Sequence, residues 1–330
     1  QFLINSMSLL KESSFSTNAI NHFHEALQDY KDTQNPITDL EFVYSKFDDY
    51  LINEAQKQGV ITFLAQNNYS DEAFAFLREA MPALQDNDGD GQPDAEVDWE
   101  DRIIKENEFV VNECLNLVFD QLDKSDIASD FLTNFEGHNP VAHLYFSVGV
   151  DSTYPNANAV TYEPDNFMIE IKFNPNKLER PSTDVARTFI HEIIHAEMYR
   201  KLLSVAQQGQ IPWTESFIQS LRNDFPGLQD YYTRWWLDTN GQSPTNVQHE
   251  LMAQHYRETI SSFLMQFDNS LTQDQADALA WAGLMGNGLI DESTGLPVNT
   301  TVAWSNVSQS QRLIILNRYQ SFINNNPNCQ

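Results

Sequence analysis

The stretch TFIHEIIHA, residues 188–196, constrains this chain more than any other segment. Pro181 and Ser182 give start and cap signals for a helix, Asp184 suits its N-terminal dipole, and Lys201 lies near the other end. Inside it, Ala186, Phe189, Ile190, Ile193 and Ile194 form an apolar stripe at helical spacing, with His191 and His195 along its edge. Residues i and i+4 share a helix face, so both imidazoles can be presented to one ion. Glu192 stands one residue further round, where its carboxylate can reach a water beside that ion. The pattern suits metal-assisted hydrolysis, in which zinc acidifies a water and the glutamate takes its proton.

The surrounding pattern predicts mostly helix with a small sheet. Residues Leu40, Val43, Phe47, Leu51 and Ala55 recur at helical spacing, with Gly59 as the expected stop. Ser70 caps a second helix that Pro82 ends. Apolar positions from Ile103 to Leu122 predict one long amphipathic helix over 99–123. After Pro140 the pattern alternates: VAHLYFSVG, NAVTYEP and FMIEIKFN predict two or three antiparallel strands. Phe167, Ile169, Ile171 and Phe173 face one way there, opposite Met168, Glu170 and Lys172. Helices are then expected over roughly 184–206, 213–223, 228–238, 247–268, 273–283 and 309–323, before a frayed polar tail, NNNPNCQ.

The two histidines need a third ligand. VQHELMAQHYRETI offers His249 at the start of a helix, with Glu250 and His255 as alternatives. A metzincin continuation is excluded, because Met198 and Lys201 stand where glycine and histidine are required. His22, His24, His138 and His143 lack such a context and read as structural or surface residues. Tyr256 and Tyr199 are candidates to stabilise charge on an attacked carbonyl.

A second ion-binding signal lies upstream. DNDGDGQPD places Asp86, Asp88, Asp90 and Asp94 at the oxygen-ligand spacing of calcium loops, with Gln92 contributing a backbone carbonyl and Gly91 permitting the turn. Val97 stands where an EF-hand needs glutamate. The segment instead resembles the calcium motif of thrombospondin type 3 repeats.

TFIHEIIHAEMY resembles the active helix of SprT-like zinc metallopeptidases, with H-E-L-M-A at His249–Ala253 as a further likeness. The resemblance covers roughly 140–265. It implies a zincin-like α+β core with a small antiparallel sheet, three histidine ligands including His249, and Glu192 as base. It also implies that FMIEIKFN serves as an edge strand that pairs with an extended substrate. The chain departs from that family in an extra aromatic-rich segment, FPGLQDYYTRWWLD, and in lacking a zinc-ribbon cysteine set. Three regions are expected: helical 1–85, a calcium-type loop at 86–98, and a metallopeptidase domain over 99–330, unless all form one domain.

The 330 residues, 41% hydrophobic, can bury a sizeable core. A net charge of −28 disfavours binding to nucleic-acid backbones or anionic membranes and attracts cations. Cys114 and Cys329 do not make a thiolate site, although one bridge is possible. The acidity, the calcium-type loop and a start at Gln1 rather than Met together suggest a trimmed chain in an extracellular, periplasmic or cell-surface setting. The reading is a zinc-dependent peptidase acting on peptide or protein substrates. Its alternatives are a non-catalytic binding protein on a zincin scaffold, or a hydrolase of a non-peptide amide.

Overall fold

The computed structural model describes residues 54–86, 89, 93–99, 102–135, 142–165, 167–206, 211 and 244–329. The helices expected over 213–223 and 228–238, and the Leu40–Leu51 stripe, lie outside them. Two helices come first, α1 (Glu54–Gln66) and α2 (Asp71–Ala83), followed by β1 (Ala95–Asp98) and β2 (Ile103–Glu106). Short helices α3 (Asn107–Val110), α4 (Glu113–Phe119) and α5 (Asp126–Leu132) lead to β3 (His143–Val148), β4 (Ala159–Thr161) and β5 (Met168–Phe173). Then come the long helix α6 (Ser182–Ala206), α7 (Pro244–His255), α8 (Arg257–Phe267) and α9 (Gln273–Trp281). The hairpin β6 (Gly286–Ile290) and β7 (Pro297–Thr300), short α10 (Val302–Ser305) and α11 (Gln309–Asn325) complete an α+β chain.

The sheet runs in the order β1-β2-β3-β5-β4. It is mixed rather than antiparallel: β3 runs parallel to both β2 and β5, while β1 and β4 are antiparallel at the edges. Alternation sorts its side chains as the sequence implies. Ile103, Leu144, Phe146, Ile169, Ile171 and Phe173 join the main core under α6. On the opposite face, Ile104 and Met168 join Phe63, Phe74, Phe76 and Leu77 from α1 and α2. The sheet is therefore covered on both faces.

That double burial explains why 99–123 is not one long helix: its first part is β2, and only the shorter α3 and α4 follow. Ile103 and Ile104 are adjacent and both buried, one in each core, which a strand achieves and a one-sided helix does not. Arg102 enters β2 with φ +54°, and Asn112 caps α4 by accepting from the Leu115 amide. Gly59 is no stop either. It sits inside α1 against Trp99, where a Cβ would meet the indole at 3.7 Å. The helix expected over 247–268 is broken at Tyr256, and β6–β7, a Gly-rich hairpin, appears where no strand was anticipated. The region assigned to the calcium-type loop gives way to sheet at Ala95.

Helix α6 is the centre of the molecule. Thr183 to Tyr199 are all buried, so it is enclosed on every side rather than along one stripe. Phe189 stacks on Phe173 with ring centroids 4.4 Å apart, seating the helix on the sheet. Several of its charged residues are paired inside. Asp184 accepts from Arg187 Nε at 2.8 Å and from Arg180 Nη1 at 2.5 Å, and Glu197 accepts from Arg200.

The C-terminal tail is tied down, not frayed. Cys329 is bonded to Cys114, 215 positions away, and its amide donates to the Arg180 carbonyl at 2.8 Å, just before α6. Closing so long a loop restricts the unfolded chain, so replacing both cysteines with serine should cost about 2–5 kcal/mol. An unchanged midpoint of denaturant unfolding would count against that role. Among the described residues no helix is long and apolar enough to cross a membrane.

Candidate metal centre

Helix α6 presents His191 and His195 from one face, and α7 brings His249 up to them. Nε2 of His191 lies 3.2 Å from Nε2 of His195 and 3.2 Å from Nε2 of His249. One ligand atom from each of the three lies within 4.8 Å of the others. Nitrogens bound about 2.0–2.1 Å from one tetrahedral zinc stand about 3.3 Å apart, so the spacing fits such an ion. Burial also prepares the rings for it. Desolvation holds His191 well below its ordinary value, helped by His195, His249 and Arg187, and lowers His249 to about 4. Neutral imidazole is the form that ligates.

Glu192 lies next to this cluster and is almost fully enclosed. Burial pushes its carboxyl up to about 7, against hydrogen bonds from Thr161 and the charge of Arg187. The Thr161 hydroxyl lies 2.7 Å from the Glu192 carboxylate and 3.2 Å from its main-chain carbonyl. This threonine ends β4, so the sheet edge itself holds the carboxylate. No local pattern in the sequence marks Thr161.

These groups form the floor of a cleft of about 590 Å³. One wall is the loop from Thr153 to Asn158 and the edge strand β4; the other is the segment containing Gly283, Gly286 and Gly288. At Gly286 a Cβ would stand 2.0 Å from the Asn299 carbonyl oxygen, so this wall has to be bare backbone. The strand beside the cleft is thus β4, whereas FMIEIKFN, expected at the edge, is β5 and lies between β3 and β4.

The other candidates are placed elsewhere. Glu250 accepts from the amides of Val302 at 2.6 Å and Ala303 at 3.1 Å, committing its carboxylate to the start of α10. His255 is exposed at the end of α7 and outside the cluster. Tyr256 packs against Phe131, and Tyr199 is buried in α6; neither lines the cleft, but Tyr154 does. His143 is a core residue against Phe76. Of the calcium-type loop, Asp88, Asp90 and Gln92 lie outside the described residues. Asp86 accepts from the Gly89 amide at 2.7 Å, and the Asp94 amide donates to the Gln85 carbonyl.

Compared with known proteins, the chain matches no family model, no curated protein and no solved structure.

Proposed function

We propose that this chain is a zinc-dependent peptidase with Glu192 as general base. The observation that carries the reading is the convergence of three imidazoles beside a buried carboxylate in a cleft. His191, His195 and His249 would hold the zinc. Bound there, the ion supplies a Lewis acid that polarises a carbonyl and acidifies water. Glu192, held by Thr161, takes the proton and passes it to the leaving amine. Among the described residues β4 has a strand partner on one side only, so its open edge can align an extended polypeptide by backbone pairing. That edge favours a peptide over a compact amide. The Cys114–Cys329 bond favours an oxidising compartment, and a calcium ion at Asp86–Asp94 belongs to the same extracellular reading.

The test joins metal content to turnover. Purified protein should carry one zinc per chain and cleave members of a broad peptide library, and chelation should abolish cleavage. His249→Ala should lose the metal, whereas Glu250→Ala should keep it, because Glu250 serves α10. Zinc without turnover of any peptide would favour a binding scaffold. Turnover confined to non-peptide amides would favour the other hydrolase reading.

A further inference from the structure

Gly283 is where main chain meets the metal site. Its φ is +88°, and a Cβ there would stand 3.3 Å from Cε1 and 3.6 Å from Nδ1 of His191. Bare backbone therefore abuts the imidazole along its Nδ1–Cε1 bond. Nδ1 of His191 is buried and has no hydrogen-bond partner among the described residues. Metal-ligating histidines usually have their ring orientation set by a hydrogen bond at that nitrogen. Here packing has to do it.

Arg187 holds the packing in place. One turn before His191 on α6, it donates from Nη1 to the Ala282 carbonyl at 2.8 Å. Ala282 is the residue after α9, where a carbonyl lacks an intrahelical partner and a cation is favoured. At its other end the guanidinium is anchored through Nε to Asp184 at 2.8 Å, and Asp184 is itself gripped by Arg180. The would-be Cβ of Gly283 also lies 3.4 Å from Arg187 Nη1, so arginine, glycine and histidine form one contact set.

We infer that Arg187 is a positioning residue for the metal centre. By fixing the Ala282 carbonyl it seats Gly283 against His191, and that seat sets the ring angle that turns Nε2 toward His195 and His249. The inference rests on the metal-centre reading proposed above. It assigns Arg187 a role beyond the ion pair with Asp184, and it assigns Gly283 one that no larger residue can fill.

The experiment compares Arg187→Lys and Gly283→Ala with the Cys114→Ser/Cys329→Ser double variant. For each, the zinc dissociation constant is measured by chelator competition, the absorption spectrum is recorded after cobalt substitution, and thermal unfolding is followed. Loss of an outer partner of a metal ligand weakens binding by about 10–100-fold, and that weakening is expected for both Arg187→Lys and Gly283→Ala. Their cobalt bands should shift too. The cysteine variant should unfold earlier with wild-type zinc affinity, since it weakens the fold away from the ring. A folded Arg187→Lys protein with wild-type affinity and spectrum would overturn the inference. Should that variant not fold, Gly283→Ala decides, because it leaves Arg187 intact: unchanged affinity there overturns the inference. A wild-type chain that takes up no zinc overturns the metal-centre reading and this inference together. Normal uptake with both variants unaffected overturns this inference alone.

Discussion

Glu192→Gln is expected to retain one zinc per chain while its peptide cleavage falls about 10²–10⁴-fold, the usual contribution of a positioned general base. The substitution keeps the shape of the side chain and its contact with the Thr161 hydroxyl, but an amide takes up no proton. Metal retention follows because the three convergent nitrogens belong to His191, His195 and His249, and none to Glu192. The loss should appear in kcat with little change in KM, since nothing in the cleft wall is altered. Burial raises the wild-type carboxyl to about 7, in the range where a base is effective near neutral pH. Zinc content and initial rates measured on the same preparations check both halves. Cleavage at the wild-type rate would remove Glu192 from the mechanism.

Asp184→Asn is expected to cost about 3–5 kcal/mol of stability, the range for breaking a buried ion pair from one side. Asp184 is fully buried, and its loss leaves Arg180 and Arg187 enclosed with their nearest counter-charge gone. Burial alone would raise its carboxyl; Arg187 and Arg180 outweigh burial and hold it below the ordinary carboxylate range. A depressed folded-state value means that the unfolded chain binds the proton more readily. The contribution is therefore complete above the unfolded value, about 4, and disappears as pH falls through the lower folded value. Wild type and variant should differ widely in unfolding midpoint at neutral pH and converge in acid. A gap that does not narrow with acidity would show that the ion pairs are not its source.

The main core was legible where one face of an element decides its partners. Ile169, Ile171 and Phe173 alternate with Glu170 and Lys172, and β5 does bury that set under α6. The apolar stripe of α6 likewise announced a packed helix. The reading failed where two adjacent apolar residues go to opposite sides of a strand. Ile103 and Ile104 lie in different cores, so their adjacency mimicked a helix pattern that the sheet overrides. Edge and centre of the sheet were also exchanged. Strand order depends on which segment returns beside which, and the composition of 159–161 and 168–173 does not state it.

The candidate site divides in the same way. His191, Glu192 and His195 were available from the sequence because 3.6 residues per turn place i and i+4 together wherever the helix lies. His249 was one of three options in its segment. The packing of α7 against α10 separates them, turning Glu250 to the Val302 and Ala303 amides while His249 faces the other two imidazoles. Thr161, Arg187 and Gly283 carry no motif. Their roles arise because β4, α6 and the turn after α9 meet at one point, far apart along the chain. Local backbone geometry thus determined two imidazoles and a carboxylate on one helix. The third imidazole, the threonine on the carboxylate and the glycine against the ring were decided only by tertiary packing, because contacts between distant segments have no period to leave in a sequence.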